Sequence, residues 1–399
     1  MSTKIIIIRL IKKKEQLTRF REKIGFFKKK KNNGKLIWFH GASVGEIQSV
    51  VPLIEKFEKN KNIKQVLITS NTLSSSKIIK DLKLKKTIHQ FFPIDTNYIS
   101  QKFINYWKPS KVFFIDSEIW PNMIFNLKKR NIPLILINGR ITKRTFRRWK
   151  FISSLSNNIF SKFDLCLASS KESLKLLKML NVKNVKLIGN LKFSQSEKKI
   201  PKNNNLKKSF KNKKIWCASS THSSEELICG SIHLDLKKRV KNLLTIIIPR
   251  HIERSEQIKK DLEKLNLKVY IEGSKNKLEP DTDIYLVNSY GKTKTFFENT
   301  NIVFLGGSLI NHGGQNPLEA ARFGCNIISG PYNQNFSEIY DFLEKNKISK
   351  KINTKNKLSR HLNFLLRTNN KNNKIKEKLK LIGQNILVKT YKEVNYLKS

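Results

Sequence analysis

The stretch Leu36-Ile37-Trp38-Phe39-His40-Gly41-Ala42-Ser43-Val44-Gly45-Glu46 decides how the rest of the chain is read. Its first four residues are apolar, three of them aromatic or β-branched, and they predict a short buried strand over residues 36–39. Gly41 and Gly45 then permit a tight turn and the close approach of a ligand to the backbone. Beyond the turn, Ile47, Val50, Val51 and Ile54 recur at helical spacing, so a helix begins here with Glu46 in its first turn. Strand, glycine turn and helix in direct succession are the opening of a βαβ unit.

The same rhythm runs along the chain. Further strands are expected at residues 66–69, 91–94, 112–116, 134–138, 166–168 and 185–188. A second series follows at 215–218, 243–248, 269–271, 284–287, 302–305 and 326–328. Helical patterns separate them, which predicts parallel sheets and an α/β fold. Residues 194–214, rich in Lys, Asn and Ser and containing Pro201, read as a linker into a second domain. The expected division is a short basic-apolar segment over residues 1–18, one domain over 19–195 and a second over 196–399 that includes the terminal helices. Two doubly wound domains facing a crevice would bind ligands at the carboxyl ends of their strands.

With 399 residues the chain is long enough for two cores, and its 39% apolar content is enough to fill them. The net charge of +50 implies attraction to polyanions. Its lysines are dispersed, however, so charge alone decides nothing; no recognition-motif signature of a nucleic-acid binder is visible, and no nucleic-acid partner is expected. Cys166, Cys217, Cys229 and Cys325 lack paired spacing and read as reduced core thiols. No metal site is expected.

Four strand-end loops could carry chemistry. In the first, Glu46 is either an ordinary helix-dipole acid or a general base aimed into the crevice. The second, Asp116-Ser117-Glu118-Ile119-Trp120-Pro121-Asn122, joins two acids to a Pro-initiated helix, with Glu118 as its candidate. In the third, Pro249-Arg250-His251, Arg250 ends a buried strand and suits a phosphate or carboxylate. The fourth runs through Gly306-Gly307-Ser308 to His312-Gly313-Gly314-Gln315-Asn316-Pro317-Leu318-Glu319. There Asn316 is expected as N-cap, Pro317 as first helical residue, Glu319 in the first turn and Gly324 as terminator. Ser219 to His222 could donate to an anion. Glu225 and Glu226 read as local polar structure and not as metal ligands. The dense basic cluster Arg140, Lys143, Arg144, Arg147 and Arg148 is either a lipid-facing surface or a solvated helix face.

Taken together, Gly41–Glu46, Glu118–Asn122, Pro249–His251 and Gly313–Glu319, with Ser219–His222, Asn190–Phe193 and Gly330-Pro331, resemble the bacterial Kdo (3-deoxy-D-manno-octulosonic acid) transferase family from about Arg19 onward. The resemblance implies a GT-B architecture of two Rossmann-like domains. It also implies transfer of Kdo from CMP-Kdo to a lipid A precursor at the cytoplasmic face of the inner membrane, with no metal or cofactor. Carried over by position, Glu46 is the general base, with Glu118 and Lys192 stabilising the transition state. Pro249, Arg250, Tyr290, Gly291, Lys292, Asn316, Pro317, Leu318 and Glu319 hold the nucleotide. The chain departs from the family at Lys292, where an acid is usual, and in its start. There Ile5 to Ile11 and Lys12 to Lys14 stand in place of a longer apolar anchor, and an interfacial attachment to anionic lipid is expected.

Overall fold

The computed structural model describes residues 17–195, 204–274, 278–368 and 373–396. The expected basic-apolar start at residues 5–14 lies outside them. The chain forms two compact units, the first closing at Gln195 and the second running from Ser196 to Lys380.

The first unit is built on β1 (Leu36–His40), β2 (Gln65–Ser70), β3 (Thr87–Phe91), β4 (Lys111–Ile115), β5 (Leu134–Gly139), β6 (Leu165–Ala168) and β7 (Val185–Leu187). All pairings are parallel, in the order β3-β2-β1-β4-β5-β6-β7. Every residue of β1, β2, β4 and β5 is buried, as expected when helices cover both faces of a parallel sheet. Trp38, Phe103, Trp107, Phe114, Leu136 and Phe160 belong to the core on one side.

The second unit repeats the plan with β8 (Lys214–Thr221), β9 (Leu243–Pro249), β10 (Val269–Ile271), β11 (Ile284–Leu286), β12 (Ile302–Leu305), β13 (Asn326–Ser329) and β14 (Ser349–Lys351). Its order is β10-β11-β9-β8-β12-β13-β14, again parallel. Trp216, Cys229, Ile247, Phe304 and Leu362 lie in its core. All four cysteines are buried and unbridged. The first sheet's strand order reverses between β1 and β4; the second's reverses centrally between β8 and β12, and its outer strands β10 and β11 are exchanged. In α/β sheets ligands bind at the carboxyl edge beside such a switch point.

Three features differ from the sequence expectation. Strand β3 ends at Phe91, where a strand was expected to begin. Pro93 has no N–H for a ladder, and the pairing instead uses the polar residues His89 and Gln90. His89 is buried with its Nε2 2.9 Å from Ser70 Oγ. Strand β14, Ser-Lys-Lys, was not expected at all, because an edge strand needs no apolar alternation. The largest difference is at the end of the chain. The helix Asn373–Tyr396 starts in the second unit, but from Leu381 it belongs to the first, not to the domain expected over residues 196–399. Tyr391 packs edge-on to Phe57 with ring centroids 5.3 Å apart. Lys111 Nζ donates to the Val394 carbonyl at 2.7 Å, and Lys186 pairs with Glu393 at 2.7 Å. Among the described residues no helix is long and apolar enough to cross a membrane.

Candidate active site

At the switch point of the first sheet, the turn after β1 leads into the helix Val44–Lys59. Ser43 is its N-cap, and Glu46 closes a capping box: Glu46 N donates to Ser43 Oγ at 3.3 Å and Ser43 N donates to Glu46 Oε2 at 3.4 Å, while Ser43 Oγ donates to Glu46 Oε1 at 2.8 Å. Ala42 N donates to Glu46 Oε2 at 2.6 Å. The first reading, a first-turn acid of the helix, is met by this capping box, which also holds the carboxyl in place at the carboxyl edge of the sheet. A Cβ at Gly41 would be crowded, 3.0 Å from Ile115 Cδ1 and 3.1 Å from Glu46 Cβ.

Across the switch point, β4 ends in Asp116, whose backbone is left-handed at φ +56°. That conformation is costly for a residue with a Cβ and turns the chain sharply, so Glu118 comes back to the edge beside β1. Glu118 Oε2 accepts from Trp120 Nε1 at 2.8 Å and lies 3.1 Å from His40 Nε2. Asp116 accepts from Asn138 Nδ2 and lies 3.7 Å from Lys192 Nζ. Asn138 in turn accepts from Leu191 N at 2.8 Å, which sets the turn carrying Lys192 against the sheet. Glu46, Glu118 and Lys192 thus share one edge. His40 and Asp116, which the sequence reading did not select, join them there. The signal for Asp116 was present in its position at a strand end, whereas His40 read only as the first residue of a glycine turn.

Burial, reinforced by the charges of Glu118 and Asp116, raises Glu46 to about 7, against the lowering effect of its bonds from Ser43 and Ala42. A carboxyl raised on folding binds its proton more tightly in the native state. Its stabilising contribution is complete below about pH 4.5 and is lost as pH rises through about 7. Glu46→Gln, neutral throughout, is expected to gain about 1–2 kcal/mol on the parent protein between those limits, after discounting for partial exposure. Urea midpoints at the two ends of that range would measure it. Equal midpoint differences at both ends would show that Glu46 has an ordinary carboxyl.

In the second unit the candidates surround the carboxyl edge near β8, β9 and β12. Arg250 follows β9, donates its N–H to the Thr221 carbonyl at 2.9 Å and leaves its side chain exposed. Tyr290 Oη donates to Glu253 at 2.7 Å, and Lys294 lies 3.5 Å from Glu319, linking the Tyr290 segment to its neighbours. Lys292, the departure from the family pattern, donates to Glu272 at 3.0 Å. The helix Leu318–Arg322 begins one residue later than expected. Pro317 and not Asn316 is therefore its N-cap, with no side-chain cap; Asn316 Oδ1 accepts from Leu318 N at 3.1 Å from one position further back, and Gly324 follows the helix at φ +80°.

Glu225 is fully buried and accepts from His222 N, Gly307 N, Ser308 N and Leu309 N, while Glu226 accepts from Arg254. Both acids are structural. Gly306 lets the turn after β12 pass the β8 loop, since a Cβ there would sit 2.5 Å from the Ser220 carbonyl oxygen. The His222 and His312 rings are 4.1 Å apart. Among the described residues no group of three or more His, Cys, Asp or Glu side chains is placed to hold a metal ion.

Two Rossmann-like units, each a seven-stranded parallel sheet, make up the GT-B architecture. A UDP-GlcNAc 2-epimerase from Neisseria meningitidis shares this fold, with a TM-score of 0.60 over 90% of this chain and 98% of its own, at 13% identity. Residues 18–195 match the family model described as 3-deoxy-D-manno-octulosonic-acid transferase (kdotransferase). The 3-deoxy-D-manno-octulosonic acid transferase of Rickettsia bellii is 34% identical over 92% of this chain and 88% of its own length. That of Haemophilus influenzae is 32% identical over 77% of this chain and 73% of its own. The chain belongs to the Kdo transferase family and is a glycosyltransferase.

Proposed function

We propose that the enzyme transfers Kdo from CMP-Kdo to a hydroxyl of a lipid A precursor, with inversion and with Glu46 as general base. The observation that carries this reading is the Glu46 carboxyl, held by its capping box beside Glu118 and raised to about 7. A base of that strength is half-ionised near neutrality and can accept a hydroxyl proton as attack occurs. The acceptor oxygen bonds to the anomeric carbon of Kdo while the bond from that carbon to the phosphate oxygen breaks. The acceptor proton passes to Glu46, and CMP leaves with the bonding electrons.

Glu118 and Lys192 are assigned to stabilising the oxocarbenium-like transition state. Pro249, Arg250, Tyr290, Gly291, Lys292 and Asn316–Glu319 are assigned to CMP on the family resemblance, which agrees with their gathering at one sheet edge. In this reading the reaction uses no metal or cofactor, and turnover is expected to survive EDTA. The enzyme is assigned to the cytoplasmic face of the inner membrane as a peripheral protein. In support, the basic helix Lys143–Phe151 buries none of its residues and leaves Phe151 92% exposed.

Incubation with CMP-Kdo and tetraacylated lipid A precursor, followed by mass spectrometry, tests the assignment. A Kdo-bearing lipid is expected, and competition by CMP but not UMP identifies the donor. An unchanged lipid in active preparations would refute the acceptor assignment. Arg250→Ala is expected to weaken CMP binding about 10–100-fold, the loss of one charge-assisted contact. Arg250→Lys should recover only part of it, because an ammonium lacks the planar fork. Calorimetry with CMP measures both variants, and unaltered affinity in Arg250→Ala would remove Arg250 from the site.

A further inference from the structure

Behind Glu118 lies a buried line of hydrogen bonds reaching back through β1 and β2. Trp38 Nε1, which can only donate, is 2.8 Å from Thr69 Oγ1. Thr69 Oγ1 is 2.9 Å from His40 Nδ1, and His40 Nε2 is 3.1 Å from Glu118 Oε2. Trp38, Thr69 and His40 are all fully buried. The His40 ring is also clamped in orientation, stacked on Phe92 at 3.8 Å and 23° with Phe114 edge-on at 5.5 Å.

These donors and acceptors can be satisfied together in one neutral arrangement. Thr69 Oγ1 accepts from the indole, so its own hydrogen is free to be donated to His40 Nδ1. A bare Nδ1 places the imidazole proton on Nε2, facing the Glu118 carboxylate. In the opposite tautomer, Nδ1 would donate to Thr69 Oγ1 and leave the hydroxyl hydrogen only the Phe39 carbonyl at a long 3.5 Å. The Nε2 lone pair would then oppose the Glu118 carboxylate 3.1 Å away.

We propose that His40 is a positioning residue, fixed by Thr69 and Trp38 as the Nε2–H tautomer, which holds Glu118 as an anion beside Glu46. It deepens the proposed reaction and rests on Glu46 being the base there. Its role is exerted through charge. The groups facing this pair are Asp116 on the same loop as Glu118, Lys192 against Asp116, and Asp95, whose charge reaches His40. Trp120 Nε1 also donates to Glu118, at the same Oε2 that faces His40 Nε2. Removing the Thr69 hydroxyl leaves a buried Nδ1 without a donor, a penalty that two changes of protonation relieve. His40 takes a second proton, or its proton moves to Nδ1 and Glu118 must gain one to donate to Nε2. Both changes reduce the net negative charge beside Glu46, so both lower the pH at which Glu46 loses its proton.

Two measurements on the full chain test this. Nitrogen-15 spectra, with His40 assigned by difference against His40→Asn, are expected to show a protonated Nε2 and a bare Nδ1 near neutral pH. The acid limb of the pH–rate profile is expected to fall by roughly one unit or more in Thr69→Val. It should remain in place in Thr69→Ser, which keeps the hydroxyl. A protonated Nδ1 in the parent protein overturns the inference whether or not any activity is measured, and also decides the matter if Thr69→Val does not fold. A Thr69→Val enzyme that is slower with an unmoved acid limb overturns it too, because lost packing slows turnover without moving a titration. In either case Glu46→Gln still separately tests the general base.

Discussion

Glu46→Gln is expected to lower turnover by about 10²–10⁴-fold while CMP affinity stays within about twofold of the parent, as suits a residue that moves a proton and holds no donor group. The amide keeps the size of the side chain, an oxygen that can still accept from Ala42 N and an NH2 that can donate to Ser43 Oγ in place of the bond now accepted from it, so the helix start is preserved. Only proton acceptance is lost. In the parent enzyme, activity should rise with pH through about 7, because the base works in its ionised form and that is where burial and Glu118 place its titration. The variant's residual activity should lack this limb. Rates across pH with saturating donor and acceptor, together with calorimetry for CMP, supply both readouts. Turnover near the parent value would assign the proton to another group. The same change is expected to stabilise the protein at alkaline pH, so a less active variant with a higher urea midpoint is the combined signature.

The second large effect concerns stability. Glu225→Ala is expected to cost about 4 kcal/mol, taking roughly 1 kcal/mol for each of four stranded buried donors. The donors are His222 N, Gly307 N, Ser308 N and Leu309 N, at 2.7 to 3.2 Å from a carboxylate with no solvent exposure. For a unit of this size that corresponds to a fall in melting temperature of roughly 8–16 °C. Thermal unfolding followed by circular dichroism would measure it. A melting temperature within a degree or two of the parent would mean that the turn after β12 is held by other contacts. Glu225→Gln should fall between, because an amide offers one accepting oxygen where the carboxylate offers two.

These two acids show what kinds of information reach the reader of a sequence. Glu46 could be selected because its neighbours in space are its neighbours in the chain: Ser43 and Ala42 supply its hydrogen bonds. Glu225 sits in an equally local first turn, yet its main partners lie more than eighty residues away on the turn after β12. Its pattern, a His followed by two acids, looks like ordinary polar structure, and nothing nearby marks it as the anchor of a glycine turn. His40 is similar. Its partner Glu118 is 78 residues distant, and it meets that partner only because β1 and β4 are adjacent at the switch point. Lys192 could be carried over from the family resemblance, but its approach to Asp116 depends on Asn138 gripping the backbone of Leu191 across the sheet.

Local pattern therefore determined the alternation of strands and helices, the glycine turns and the first-turn acids. Each of these follows from residues within one or two turns of chain, where backbone sterics and apolar periodicity act. Strand order was decided by tertiary structure alone, and with it the meeting of His40 with Glu118 and of Asp116 with Lys192. So was the return of the last helix to the first unit, because Tyr391 and Val394 find their partners at Phe57 and Lys111. The physical reason is range. A hydrogen bond or buried contact acts over a few ångströms in space, so it is legible in sequence only where the chain itself keeps its partners close.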